Sequence, residues 1–372
     1  LPSLIKMNIN EVFGIFLKNK RGRPFVDFSN ADGKRWLMPV RNMSTGMKLY
    51  QPSGAKGKLV KWGLPWLYWT PGILHFLHAK QYSLSFRAEF LDLIRQIFDL
   101  EDFEFAVFCG TPGVHQKITI QISCGSKIFG YLKITDNKNL LEVFMHEREI
   151  LSTLHNRGVD NVPKCLYCGT LSNGLHVFAQ TTVKTRHSKV LHYWSSLHVQ
   201  FLEALKERTS QQIQFEESDF YRDLMGLRSN GLVIKETILN DAIESVLAHY
   251  AGEKVQFCAF HADFTPWNMF VESGQLFVFD WEYARLTYPP RLDFFHFWLQ
   301  TSIFEKHLSV EQVVADYRYI RQQYANDFSD IDFSLKCYLL VVIALYVERE
   351  KGVLNLGTQQ RIEFWSSLLK QL

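Results

Sequence analysis

One short stretch constrains this chain more than any other: His261-Ala-Asp263-Phe-Thr-Pro-Trp-Asn268, followed by the apolar run Gln275-Leu-Phe-Val-Phe-Asp280 and then Trp281-Glu282. Asp263 and Asn268 stand five residues apart, so a single tight loop can carry both. In such a loop Asp263 can accept a proton from a substrate hydroxyl while Asn268 turns toward a metal ion. The run before Asp280 reads as a strand that ends on its acid and presents a hard, charged oxygen ligand for Mg²⁺. An acid that takes a proton, with an amide and a second acid that hold a divalent cation, is what phosphoryl transfer needs. A plainer alternative is a capped loop between core strands, in which Asp263 bonds only backbone amides.

At "HADFTPWNMF" and "FVFDWEYA" the chain resembles the aminoglycoside phosphotransferase and choline kinase family, the small-molecule branch of the protein-kinase-like fold. The family typically reads H-G-D-x-x-x-x-N, then a strand ending in Asp. Here Ala262 stands where Gly is usual, and Ala lacks easy access to positive φ. The resemblance runs from about residue 103 to 372 and is strongest at 261–293. It implies an α+β, bilobal kinase-like fold, with a β-rich N-lobe and a mainly helical C-lobe. A small appended α/β region at the N-terminus lies outside it. The implied domains are 1–102, 103–183 and 184–372.

Composition allows this and excludes little else. In 372 residues, 47% apolar and 21% charged is ordinary globular material, and a net charge of +3 gives no reason to expect a nucleic-acid partner. Basic residues cluster at 18–23 and at Lys56, Lys58 and Lys61; a solvated face explains both, an anionic membrane or glycan contact being the alternative. The six cysteines do not make a disulfide framework in so large a chain, and Cys165-Leu-Tyr-Cys168 lacks the second pair that a zinc site needs. Reduced thiols and a nucleotide-dependent reaction fit the cytosol. No segment reads as a signal peptide, but the chain opens on Leu1 rather than Met, which leaves targeting open. The aromatic stretch Trp62–His78, broken by two Pro and two Gly, is short for a bilayer span. Packing against the next domain is its preferred reading; a peripheral membrane or glycolipid contact is the other.

Along the chain, Phe25–Phe28 and Arg35–Val40 flank an Asp-Gly turn and predict a hairpin. Residues 83–100 predict a helix from the spacing of Phe86, Phe90, Leu91, Leu93, Ile94 and Ile97. Short β-rich runs follow: Phe105–Cys109, a turn at Gly110-Thr-Pro-Gly113, Lys117–Ser123, and a third strand, Phe129–Ile134, carrying Lys133. A lone cation in an apolar strand needs an anionic partner. The helix 140–157 offers one at Glu147, spaced i, i+4, i+7 with Leu151 and Leu154; a surface acid is the alternative. Strands at 164–168 and 174–179 lead to Gln180-Thr-Thr182-Val183. Helices are expected at 194–207, 219–227 and 236–249, and Tyr338–Tyr346 is apolar all round, as in a buried helix.

The resemblance implies roles for these residues. Lys133, held by Glu147, would contact the phosphates of ATP or GTP, and the Gly110–Gly113 turn would cover them. That turn lacks the usual glycine pattern, so a plain hairpin serves as well. Backbone groups at Gln180 and Thr182 would read the base at an interlobe hinge. Asn268 and Asp280 would hold Mg²⁺, with Glu282 in support, and Asp293 would anchor the loop. Asp263 is the expected base, and His261 acts beside it, more as a hydrogen-bonded brace than as the base itself. The expected reaction moves the γ-phosphoryl group to a hydroxyl of a small molecule or saccharide. A nucleotide-binding pseudokinase or scaffold whose N-terminal module binds a glycan, membrane or protein partner is the rival, and nucleotidyl transfer to a protein is a third reading.

Overall fold

The computed structural model describes residues 14–52, 54–70, 72–111, 116–230, 237–350 and 355–371. The chain divides into two compact units. The first comprises residues 14–152, 161–189 and 270–277, and the second 153–160, 190–269 and 278–371.

The first unit is built on one eight-stranded sheet. Its strands are β1 (Phe16–Ser29), β2 (Arg35–Pro39), β3 (Lys80–Phe86), β4 (Glu104–Phe108), β5 (Ile118–Cys124), β6 (Lys127–Thr135), β7 (Cys165–Thr170) and β8 (His176–Thr181). Their order is β3-β1-β2-β4-β5-β6-β8-β7, and the pairings are antiparallel. The hairpin expected around Asp32-Gly33 is present, with Phe25 opposite Pro39 and Ser29 opposite Arg35. Arg35 locks it by binding Asp27 through both Nε, at 2.8 Å, and Nη2, at 2.7 Å. Its outer strand does not stop at a module boundary. Trp36 and Leu37 of β2 pair with Phe108 and Val107 of β4, so the first hundred residues supply three strands of the same sheet.

Three helices fall within residues 43–76: the single turns α1 (Met43–Gly46) and α3 (Ile73–Phe76), and between them α2 (Ala55–Leu67). A fourth, α4 (Ala88–Phe98), replaces the longer helix expected at 83–100. Residues 83–86 belong to β3 instead, because their alternate side chains Leu84 and Phe86 enter the core at a strand period of two. Helix α4 lays Phe90, Ile94 and Phe98 on one face of the sheet, against Ile120, Ile122, Leu132 and Ile134. Strand alternation therefore turns Lys133 to the opposite face. A further correction concerns Trp62–His78: Trp62, Trp66 and Trp69 are 70–75% exposed rather than packed away.

Helix α5 (Lys138–Asn156) follows β6. In the second unit lie α6 (Ser196–Thr209), β9 (Gln211–Gln214), α7 (Asp219–Arg228), α8 (Thr237–Tyr250) and β10 (Lys254–Phe260). The hairpin strands β11 (Met269–Glu272) and β12 (Gln275–Val278) come next in the chain and belong mainly to the first unit; β13 (Arg285–Tyr288), α9 (Leu292–Phe304), α10 (Val310–Tyr324), α11 (Ile331–Arg349) and α12 (Leu356–Leu369) follow in the second. Strand β10 lies between β13 and β9. Around it the helices close a large core in which Leu339, Leu340, Val341, Val342 and Ile343 of α11 are all buried, as an all-round apolar helix requires. Among the described residues no helix is long and apolar enough to cross a membrane.

Candidate active site

The expected catalytic loop leaves the buried end of β10 and is tied down at each residue. Asp293, in the first turn of α9, accepts the backbone N–H of His261 at 2.9 Å and that of Ala262 at 3.3 Å. These bonds hold Ala262 at φ +69°, a left-handed conformation that costs an L-residue about 1 kcal/mol or more. A carboxylate clamp thus holds Ala262 in a conformation that glycine adopts more readily. Burial pushes Asp293 up to about 7, against the two backbone N–H bonds that favour its charge.

His261 is fully buried and both ring nitrogens are engaged. Nδ1 accepts the N–H of Asp263 at 3.2 Å, which leaves Nε2 to donate to the carbonyl of Phe279 at 3.0 Å. Burial pushes the ring down to about 4. A neutral imidazole with both nitrogens occupied braces the loop and has no lone pair to offer a substrate.

Asn268 ends a 3₁₀ turn that Pro266 starts, where the missing Pro N–H costs nothing. Its Nδ2 donates to the Asp263 carboxylate at 2.7 Å and to the Asp263 carbonyl at 3.0 Å. Both partners are acceptors, so the amide nitrogen must face Asp263 and the amide oxygen is turned elsewhere. The other Asp263 carboxylate oxygen lies 3.4 Å from Nε2 of His296 on α9, and Nδ1 of His296 lies 3.3 Å from the hydroxyl of Tyr338 on α11. The Asp263 side chain nevertheless stays 32% exposed, so it is steered without being sealed. The plainer capped-loop alternative does not describe this acid, whose carboxylate bonds side chains and reaches solvent.

Asp280 lies two residues beyond β12 rather than at its end, in a left-handed conformation with φ +69°. The chain turns there because Trp281 is fully buried, its indole N–H bonded to the Val278 carbonyl at 3.1 Å and its ring 4.5 Å from that of His261. Carboxylate oxygens of Asp280 and Glu282 come within 4.8 Å of each other. Burial, then the charge of Glu282 and further those of Asp280 and Asp263, raise the Tyr283 hydroxyl far above its ordinary value, against the opposing charge of Arg349. Two neighbouring carboxylates are hard oxygen donors, the chemistry Mg²⁺ prefers.

In the first unit Lys133 and Glu147 form a buried pair, Nζ lying 2.7 and 3.0 Å from the two carboxylate oxygens. The ammonium also lies 5.5 Å from the centre of the Phe178 ring. A buried ion pair gains little net stability against its desolvation. Gly110 has φ +83°, and a Cβ there would stand 2.4 Å from the carbonyl of Lys117, which only glycine avoids. Gly113 lies outside the described residues. Gln180 is buried in β8, and among the described residues no hydrogen-bond partner is found for its Oε1. The Thr182 N–H bonds the carbonyl of Phe129 at 3.3 Å.

His296 and Tyr338 escaped the sequence reading. His296 follows Asp293 by three residues on α9, and that spacing was the available signal. Several acids of the second unit are already bonded within the fold. Asp219 accepts the N–H groups of Leu286 and Thr287, at 3.0 and 3.1 Å. Asp223 binds Arg285 and Tyr288, Glu203 binds Arg291, and Glu216 accepts the N–H of Gly252.

The profile of the phosphotransferase enzyme family matches residues 131–326, more than half of the chain. The chain belongs to that family. This phosphotransferase is therefore an enzyme of phosphoryl transfer, and the family implies a small-molecule hydroxyl as acceptor. Its fold is similar to that of aminoglycoside phosphotransferase APH(4)-Ia at 11% identity and TM-score 0.50, covering 75% of this chain and 97% of that one. A thermostable mutant of that enzyme in ternary complex with ADP and hygromycin B matches at 10% identity and TM-score 0.50, with 75% and 97% covered. Another, bound to AMP-PNP and hygromycin B, matches at 11% identity and TM-score 0.50, with 77% and 99% covered. At these identities the likeness is one of fold. No curated protein sequence matches the phosphotransferase significantly.

Proposed function

We propose that this phosphotransferase moves the γ-phosphoryl group of ATP, with GTP as the alternative donor, to a hydroxyl of a small molecule or saccharide in a Mg²⁺-dependent reaction. The observation that carries the proposal is the double tether of Asp263. Asn268 holds one carboxylate oxygen at 2.7 Å and His296 approaches the other, yet the acid remains open to a substrate. Structures of similar fold hold ADP or AMP-PNP, which supports an adenine nucleotide as the donor.

In this reading Asp263 orients the acceptor hydroxyl and takes its proton as the oxygen attacks phosphorus. Asn268, through its amide oxygen, and Asp280 hold the metal, with Glu282 in support. When bound, Mg²⁺ supplies charge neutralisation at the phosphate oxygens. Lys133, kept extended by Glu147, contacts the nucleotide phosphates, and Gly110 lets the backbone beside β4 approach them. Gln180 and Thr182 flank the base. His261 and Asp293 shape the loop and touch no reactant. With Asp219, Asp223, Glu203 and Glu216 already bonded within the fold, an acceptor that is a strong polycation has little support.

The test is thermal stability with Mg-ATP, read beside transfer of labelled γ-phosphate to a panel of sugars and amino alcohols. Ligand at a hundred times its dissociation constant stabilises by about 2.7 kcal/mol. Wild type and Asp263→Ala should both show the shift, whereas Asp280→Ala should lose it. Transfer should fall by on the order of 10²–10⁴-fold in Asp263→Ala. No shift with Mg-ATP or Mg-GTP would defeat the proposal and favour a scaffold.

A further inference from the structure

We propose that the outer face of α2 docks the protein onto an anionic lipid surface. One side of this helix is committed to its own unit: Leu64, with Val60 and Tyr68, packs on the cluster formed by Phe28, Trp36 and Met47. The other side is apolar and open. Leu59, Trp62 and Trp66, at i, i+3 and i+7, share a helical face, and Trp69 continues it just past the helix end. They are 72, 75, 70 and 72% exposed, respectively. Three tryptophans left in water on one stripe are a surface built for contact, because scattered single exposures are the norm.

Charge chooses the occupant. Residues 33–88 contain nine of the chain's 41 basic residues and none of its 38 acids. The net charge of +3 is therefore +9 over this segment and −6 over the rest. Lys56 and Lys58 are exposed at the start of α2, flanking the tryptophan stripe. Inside the unit, burial and the fields of Lys61 and Lys48 lower Lys184 to about 7, another sign of positive potential near this helix. A second copy presenting the same face would bring the exposed Lys56 and Lys58 against their own counterparts, so self-association through it is opposed. Tryptophan and lysine together suit the headgroup layer, where the indole finds both apolar and hydrogen-bonding surroundings and the ammonium meets phosphate. At 13 residues, about 20 Å, α2 can lie in that layer but not cross it.

The experiment is flotation of the full chain with phosphatidylcholine vesicles, with and without phosphatidylglycerol, read together with tryptophan fluorescence. Wild type should float with the anionic vesicles, show a blue-shifted emission, and release as salt rises. The variant Trp62→Ser/Trp66→Ser/Trp69→Ser should stop floating while its circular-dichroism melt stays unchanged, since all three side chains lie outside the core. Lys56→Gln/Lys58→Gln should weaken binding by on the order of five-fold for each lysine. Three results would overturn the proposal. One is no flotation of the wild type, and another is flotation undiminished by loss of the tryptophans. The third is self-association that depends on the tryptophans without any vesicle binding, which would make this face an interface between copies.

Discussion

His261 and Asp293 carry opposite pH signatures although they share one loop. His261 titrates near 6.5 when unfolded and is pushed down to about 4 in the fold. Its stabilising contribution is complete above 6.5 and lost as pH falls toward 4, on the order of 3 kcal/mol at most. Asp293 is raised from 3.8 to about 7, so its contribution is complete below 3.8 and lost as pH rises through 7. The two slopes therefore oppose each other between about 4 and 6.5. Relative to wild type, His261→Asn should make stability fall more steeply as pH rises across this window, and Asp293→Asn should make it rise. Urea midpoints measured against pH decide the matter: parallel profiles for both variants would refute the assignment. Ala262 offers a simpler test at the same scale. Replacing it by Gly removes the left-handed penalty and should stabilise the protein by on the order of 1 kcal/mol. An unchanged or lower urea midpoint would mean that the Asp293 clamp, not the residue type, sets the loop's energy.

At the scale of elements, β6 and α5 act as a device for holding one cation. Strand alternation turns Lys133 away from the core beneath α4, and the helix brings Glu147 to within 2.7 Å of it. Removing one partner leaves the other buried and unpaired. Glu147→Ala should therefore cost about 3–5 kcal/mol, far more than an exposed pair would. The double substitution Lys133→Met/Glu147→Leu should recover much of that loss, because apolar packing replaces a desolvated pair. Stability would return, but the Mg-ATP shift should not. If thermal melts found the double variant stable and still responsive to nucleotide, the pair would be a packing feature only. Helix α9 plays a comparable part in the second unit: its first two turns carry Asp293 for the loop backbone and His296 for the Asp263 carboxylate.

For the whole molecule, the continuity of the eight-stranded sheet has consequences. The core under α4 draws on Ile15, Phe25, Leu37 and Leu84 as much as on β5 and β6. A chain begun at Phe103 would lose α4 with these side chains and would leave β4 as an exposed apolar edge. Such a truncation should fail to melt cooperatively and should aggregate. A sharp thermal transition and normal nucleotide response in the truncated form would show instead that the N-terminal residues are an attachment. The family match begins only at residue 131, within β6, so the preceding strands extend this sheet outside the matched segment. The exposed tryptophans of α2 belong to that same extension.

Features with a local cause were legible in the sequence. The five-residue spacing of Asp263 and Asn268, the Asp-Gly hairpin, the apolar α11 and the Lys133–Glu147 pair each follow from short-range spacing or strict periodicity. Features decided by pairing across distance were not. Nothing local distinguishes residues 83–86 as strand from the helix they precede; the pairing of Phe86 with Phe16 decides it. Asp280 sits past its strand because Trp281 must reach the core. His296 reaches Asp263 only because α9 returns beneath the loop, and Tyr338 reaches His296 only because α11 packs on α9. The tryptophans of α2 are apolar in sequence whether buried or exposed. Which face they occupy depends on Val60 and Leu64 taking the core side, and only the tertiary structure makes that choice.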